Sequence, residues 1–276
     1  MASSPSVLCA ISHGLYRPWI DILHSGQEKT WLQVQRPAGL QVIHFHGTPM
    51  GDIGIKLDAL HERIRWSTRS KARLLRFFDF IVCAPLILYR AKYSDSKLLK
   101  TADPVIHIWF PDSYLTYRWK ELALFDYFIK ETDCEFLFIT STSSYVNPRR
   151  LVEFISLLPK TSVYTGAIPY VDAQFVSGSN RILSRDVVQK ILDNALRFDP
   201  TIIEDVALGQ LIEKLNVERQ GFPISNIATL DDLTCFPKND LESSYHFRLK
   251  SGKLNNRNDV EIMLALHEKL SKMEVL

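Results

Sequence analysis

The run Glu135 to Thr140 (EFLFIT) sets apolar side chains at consecutive positions. A strand built from it has no polar face to turn towards water. It must lie inside a sheet covered on both sides, the place of a parallel strand in an α/β fold. Other segments agree. Ser6 to Ile11 (SVLCAI) is a short apolar run closed by Ser12-His13-Gly14, and Leu40 to Phe45 (LQVIHF) is closed by Gly47 and Pro49. Pro104 to Phe110 and Val163 to Ile168 also read as strands, with Gln174 to Val176 as a shorter candidate. Helical spacing lies between them. Tyr117 to Lys130 puts Leu122, Phe125 and Ile129 on one face. Arg149 to Leu158 follows Asn147-Pro148, and Ser184 is a candidate N-cap for a helix over Arg185 to Leu196. Another helix starts at Glu204-Asp205, and the last runs from Asn258 to Lys272. Strands alternating with helices predict an α/β fold: one domain over 1–276, with a mostly parallel central sheet flanked by helices. A chain of 276 residues can bury enough surface to fold without a disulfide or metal staple.

Charge narrows the class of partner. The net charge is +2, so there is no global field for nucleic acid. Residues 51–100 nonetheless carry 11 Lys or Arg against 5 Asp or Glu. Within 56–76, Arg63, Arg65, Arg69, Lys71, Arg73 and Arg76 alternate with apolar residues and Trp66. That stretch reads as a solvated helix face or as peripheral contact with an anionic membrane surface. The four cysteines form no Cys-x-x-Cys pair, which argues for free thiols in a reducing compartment. No signal peptide and no run of ~20 apolar residues is visible. For a complete chain, the expected location is cytoplasmic or peripheral on the membrane, with 56–76 as the candidate contact and the solvated helix face as the favoured reading of that stretch.

Ligands of open parallel sheets bind beyond the carboxyl ends of the strands. The turn after Thr140, Ser141-Thr142-Ser143-Ser144, offers four hydroxyls to a sugar or phosphate, or simply satisfies its own backbone. Glu204-Asp205 is either a dipole-favoured acidic start to a helix or a general base with its brace. His44-x-His46 lacks a third metal ligand. No Gly-Lys-Ser/Thr follows Gly47, Gly51 or Gly54, and no Gly-x-Ser-x-Gly occurs, which excludes a P-loop and weakens an esterase. In Tyr245 to Lys250, His246, Arg248 and Lys250 would share one strand face, suited to a diphosphate or to solvent.

Four segments taken in order resemble a known family. They are Lys29-Thr30-Trp31-Leu32; Phe110-x-Asp112-x-Tyr114-Leu115-Thr116 with Lys120; Phe175-x-Ser177-Gly178-Ser179-x-x-x-x-Ser184-Arg185-Asp186; and Ile203-Glu204-Asp205-Val206-x-x-Gly209. Together they look like an inverting glycosyltransferase of GT-A fold, in the beta-1,3-galactosyltransferase and Fringe superfamily. The likeness covers residues 6 to 220. The chain departs from that family at one place. An acidic Asp-x-Asp motif that holds Mn²⁺ against the donor diphosphate is expected before Tyr145-Val146-Asn147, and Ser141-Thr142-Ser143 stand there instead. Hard divalent cations want carboxylate oxygens, so the expectation is a transferase that requires no cofactor, with Mn²⁺ as the less favoured case.

The resemblance implies a nucleotide-sugar donor, with a UDP-hexose first in line, and a hydroxyl acceptor on a glycan or glycolipid, as in polysaccharide biosynthesis. It implies Asp205 as general base with Glu204 beside it. Donor binding would fall to Ser12, His13, Arg17, Ser141, Thr142, Ser143, His246, Arg248 and Lys250. The last three are preferred over Arg149, Arg150 and Arg257 as cations for the leaving diphosphate. Asp112, Ser177, Gly178 and Ser179 would shape the acceptor and sugar pocket. About 1–145 would form the nucleotide-sugar half, and about 146–276 the acceptor half with a C-terminal closing segment. The alternative from another class is a catalytically silent GT-A-like protein that binds a nucleotide or glycan.

Overall fold

In the computed structural model the described residues are 4–53, 56, 93–113, 116–199, 202–252 and 257–273. The basic stretch at 56–76 lies outside them except for Lys56, as do Tyr114, Leu115 and Cys83.

The expected α/β architecture is present. Among the described residues the strands are β1 (Val7–Ser12), β2 (Leu40–Thr48), β3 (Tyr93–Asp95), β4 (Val105–Pro111), β5 (Phe136–Ser141), β6 (Ser144–Val146), β7 (Tyr164–Ile168), β8 (Asn180–Ser184), β9 (Phe222–Pro223) and β10 (His246–Arg248). The α-helices among them are α1 (Trp19–Ser25), α2 (Tyr117–Glu131), α3 (Pro148–Ser156), α4 (Arg185–Asp193), α5 (Glu204–Lys214), α6 (Leu230–Cys235), α7 (Lys238–Ser243) and α8 (Asp259–Lys272). The main sheet has the order β3-β4-β2-β1-β5-β8-β7-β9, and β10 pairs with β6 in a separate ribbon. β4, β2, β1 and β5 run parallel, so their carboxyl ends meet along one edge. β8 returns antiparallel between β5 and β7.

The pleat divides the core. Leu8 and Ala10 of β1, with Leu137 and Ile139 of β5, face a cluster under α2, α4 and α5. Val7, Cys9 and Ile11, with Phe136 and Phe138, face a second cluster under α1, α3 and α8. Period-two alternation with both faces apolar is what EFLFIT requires. One expectation needs correction: Gln174 to Val176 forms no strand. Ser184 takes the expected N-cap position of α4, but its hydroxyl donates to Asp186 Oδ1 (2.6 Å) and accepts from Val163 N (2.9 Å) instead of capping a helix N–H, so it ties α4 to the sheet.

Gly209 in the middle of α5 has a packing reason. A Cβ there would sit 2.6 Å from the Gln174 carbonyl oxygen and 2.8 Å from Phe175 Cβ. The bare glycine lets α5 lie against the loop that leads to Ser177-Gly178-Ser179. The loop and the start of the helix are thereby held together.

Candidate functional site

The ends of β1, β4 and β5 open onto a cavity of about 290 Å³. Ser12 and His13 line it from β1, Asp112 from the end of β4, and Ser141, Thr142 and Ser143 from the turn after β5. Ser177, Gly178 and Ser179 come from the β7–β8 loop, Glu204 and Asp205 from the start of α5, and Arg248 from β10. Residues far apart in sequence are thus brought to one place. Three expected donor residues stand outside the cavity wall. Arg17 is exposed and pairs with Asp21 at 3.4 Å. His246 is buried against Phe138 and Tyr245, with Nε2 3.4 Å from Thr140 Oγ1. Burial first, then the Arg248 charge, push its imidazole down to about 3, so it adds no cation. Lys250 is exposed, because β10 ends at Arg248 and no strand register carries on to it.

On one wall, hydroxyls meet guanidinium groups. Arg248 Nη1 donates to Ser141 Oγ. Arg257 Nη2 donates to Ser143 Oγ at 2.5 Å, pairs with the buried Asp259, and lies 4.6 Å over the Trp19 ring, which also lines the cavity. The turn is fixed from behind by Gln27 Nε2, which donates to the carbonyls of Ser141 (3.2 Å) and Ser144 (3.3 Å). The other cations considered are used elsewhere. Arg149 pairs with Glu153 on the surface, and Arg150 donates to the carbonyls of Leu241 and Ser244. The residues at this turn do not fit the Mn²⁺ that the family likeness implies. The available oxygens are neutral and already take donors from two positive charges, whereas a hard divalent cation needs anionic oxygen. The same arrangement suits an anion.

His13 sits at the floor. Its Nε2 is 2.7 Å from His44 Nδ1, and His44 Nε2 lies 3.7 Å from Asp103, which a two-pronged contact ties to Arg36. Burial, then the neighbouring His44, hold His13 well below the usual imidazole range, so it lines the cavity as a neutral group. Beside it Lys120 and Asp112 form a buried ion pair. A Cβ on Gly47 would come within 2.8 Å of Lys120 Cδ and 2.9 Å of Asp112 Cα, so the bare backbone of β2 makes room for that pair.

The opposite wall is acidic. Arg181 of β8 is fully buried, and its Nη1 donates to Glu121 Oε1 and, at 3.0 Å, to Glu204 Oε1. Its Nη2 donates to Asp205 Oδ1 at 2.5 Å, and the Gly178 N–H donates to the same oxygen at 3.0 Å. Burial, then the Glu121 charge, raise Glu204 to about 8. Burial, then the Glu204 charge, raise Asp205 well above the carboxylate range. A carboxylate with raised basicity, 26% exposed at the cavity, is chemically a base for a hydroxyl proton. Arg181 and Glu121 were missed by the motif reading. The signal available was an arginine inside a short apolar strand, which demands a buried counter-charge.

Among the described residues no cluster of three or more His, Cys, Asp or Glu could hold a metal ion, and no helix is long and apolar enough to cross a membrane. No protein-family model matches the chain, and no curated protein matches it in sequence. Solved structures of glycosyltransferases are similar to it in fold. The glycosyltransferase GlyE of Streptococcus pneumoniae TIGR4 is similar at 8% identity and a TM-score of 0.47, over 98% of this chain and 65% of that one. The mannosyltransferase PcManGT of Pyrobaculum calidifontis, solved with GDP-Man and Mn²⁺, is similar at 11% identity and a TM-score of 0.45, over 99% and 65%. Mouse xyloside xylosyltransferase 1 in its apo form is similar at 9% identity and a TM-score of 0.38, over 88% and 97%. The chain thus spans just under two thirds of the length of the first two.

Proposed function

We propose that this chain is an inverting glycosyltransferase that moves a sugar from a nucleotide-sugar donor, a UDP-hexose first, to a hydroxyl of a glycan or glycolipid. The observation that carries the reading is one cavity with a cationic, hydroxyl-lined wall facing a wall of basic carboxylates. A transfer with inversion needs both at once. Asp205 takes the proton of the acceptor hydroxyl while that oxygen bonds to the anomeric carbon. The bond from that carbon to the phosphate oxygen breaks on the other side, and its electrons leave with the diphosphate. Arg248 and the Ser141–Ser143 hydroxyls stabilise that charge in place of a metal, as fixed charges do where charge develops. Ser177 to Ser179 line the sugar and acceptor side. Residues 1–145 and 146–276 serve as donor and acceptor halves, with Arg248 returning from the second half to the donor.

Thermal melting with UDP, GDP, CMP and dTDP, each in EDTA or with Mn²⁺, tests the reading. A ligand at 100 times its dissociation constant adds about 2.7 kcal/mol. One nucleotide is expected to raise the Tm equally in EDTA and Mn²⁺, and its sugar conjugate to support transfer. A rise only with Mn²⁺ would overturn the metal-free site. No rise with any nucleotide would overturn the transferase.

A further inference from the structure

Arg181 stands in β8 with no surface open to solvent, and carboxyls from two helices converge on it: Glu121 of α2, and Glu204 and Asp205 of α5. Glu204 shares Arg181 Nη1 with Glu121, and Asp205 takes Nη2. The remaining titratable groups facing the cluster are Tyr117 of α2 and Tyr164 of β7, whose phenols burial keeps protonated. Arg118 also lines the cavity, but its Nη1 is turned to the Asp199 carbonyl at 2.7 Å. Among the described residues one buried positive charge therefore serves three negative ones. Two uncompensated charges in such surroundings are strongly disfavoured, so the Glu204–Asp205 pair holds a proton in common. The geometry grades them. Asp205 Oδ1 has two donors and Asp205 reaches the cavity, whereas Glu121 is at the closed end, 1% exposed.

We propose that Glu121 is a positioning residue for Asp205: by competing for the single guanidinium of Arg181, it sets the pH at which the Glu204–Asp205 pair gives up its proton and Asp205 can act as a base. When the pair is ionised, Asp205 accepts the acceptor proton as the new glycosidic bond forms and the diphosphate leaves. When the pair retains its proton, that step has no base. The catalytic consequence rests on the transferase reading above, but the proton-sharing cluster does not.

The test is Glu121→Gln, which keeps the side-chain volume and an oxygen for Arg181 but removes one negative charge. In the pH profile of transfer, the acid limb is expected to move down by about 1 unit, giving roughly 5-fold more activity one unit below the wild-type midpoint. A residue with a merely structural role would scale the whole profile and leave the limb in place. The second readout needs no substrate. By ¹³C NMR of carboxyl-labelled protein, the wild type is expected to show a carboxyl titrating near or above neutral pH, and Glu121→Gln to lower it. If the wild type transfers no sugar from any donor, the transferase reading has failed and the NMR titration alone decides the cluster. If Glu121→Gln does not fold, Arg181→Lys replaces it. Lysine lacks the two-pronged reach, so the titration is expected to move up. A wild type without such a carboxyl, or a variant with an unmoved titration and limb, overturns the proposal.

Discussion

The two walls of the cavity solve opposite electrostatic problems with the same kind of residue. At the Ser141–Ser143 turn two arginines, Arg248 and Arg257, meet neutral hydroxyls, and Arg257 also pairs with Asp259 on its far side. Across the cavity one arginine, Arg181, meets three carboxylates. The first wall offers guanidinium and hydroxyl donors to the cavity, and among the described residues the second has negative charge to spare. An arriving anion can take the donors of the first wall, and a proton can offset the imbalance of the second. Under the proposed reading, the contrast would put the leaving group on one side and the proton acceptor on the other, without reference to any particular sugar.

Breaking the acidic wall should have the largest effect. Asp205→Asn removes the base and keeps the shape, so transfer is expected to fall by about 10²–10⁴-fold while nucleotide affinity stays near wild type. Wild-type turnover in Asp205→Asn would end the assignment. Gly178→Ala tests the same wall through geometry. The added Cβ would meet Asp205 Oδ1 at 2.8 Å and displace the carboxylate. A misplacement of that order is expected to lower kcat by roughly 10²-fold, with the nucleotide-induced shift in Tm retained. Equal losses of kcat and of nucleotide binding would show that the two walls are not separable.

Breaking the cationic wall should give the mirror result. Arg248→Ala removes a charge-assisted donor worth about 1.5–3 kcal/mol, so nucleoside diphosphate affinity in EDTA is expected to fall by ~10- to 100-fold. Arg248→Lys keeps the charge without the planar fork and should fall between. Nucleoside monophosphate binding should change far less, since it lacks the second phosphate. Restoration of the Arg248→Ala loss by Mn²⁺ would mean that the turn does take a metal.

How legible this was depends on the kind of signal. The central strands could be read because EFLFIT and SVLCAI are apolar on both faces, and only a covered sheet accommodates that. Glu204-Asp205 and Ser177-Gly178-Ser179 were legible as motifs because each is a run of adjacent residues, and the close approaches of Gly209 to Gln174 and Phe175 and of Gly178 to Asp205 join the two runs. The cationic residues were not legible in the same way. His246, Arg248 and Lys250 look equivalent by alternation, yet β10 is only three residues long, so one is buried, one reaches the cavity and one is exposed. Arg257 reaches Ser143 across 114 positions, and Arg181 meets Glu121 across 60. Contacts of that separation are fixed by sheet order, and the pattern of a single strand or helix carries no trace of them.

The smallest effect is also the one that needs no substrate, and it follows from the sign of the imbalance. Glu204 is an ordinary carboxyl in the unfolded chain, near 4.5, and is raised to about 8 in the folded protein. A raised carboxyl contributes its stability in full below its unfolded value. That contribution is lost as the pH rises through the folded value, because ionising the group in place costs more than ionising it in water. The buried histidines run the other way. His13 and His46 are held below the imidazole range by burial, so their contribution grows as the pH rises through about 6.5. Wild-type stability alone therefore mixes the two. The difference between wild type and Glu204→Gln isolates the carboxyl, since the amide does not titrate. Urea unfolding at a series of pH values is expected to show that difference moving in favour of the variant between pH 4.5 and 8. The gradient should be at most about 1.4 kcal/mol per pH unit, the limit for one whole proton. Below pH 4.5 the curves should run parallel. The same comparison on the cationic wall, with Ser141→Ala, should give a difference with no slope, because nothing there releases a proton in that range. A flat difference for Glu204→Gln would mean that the three carboxylates are balanced after all, and that the two walls do not differ in the way their charges suggest.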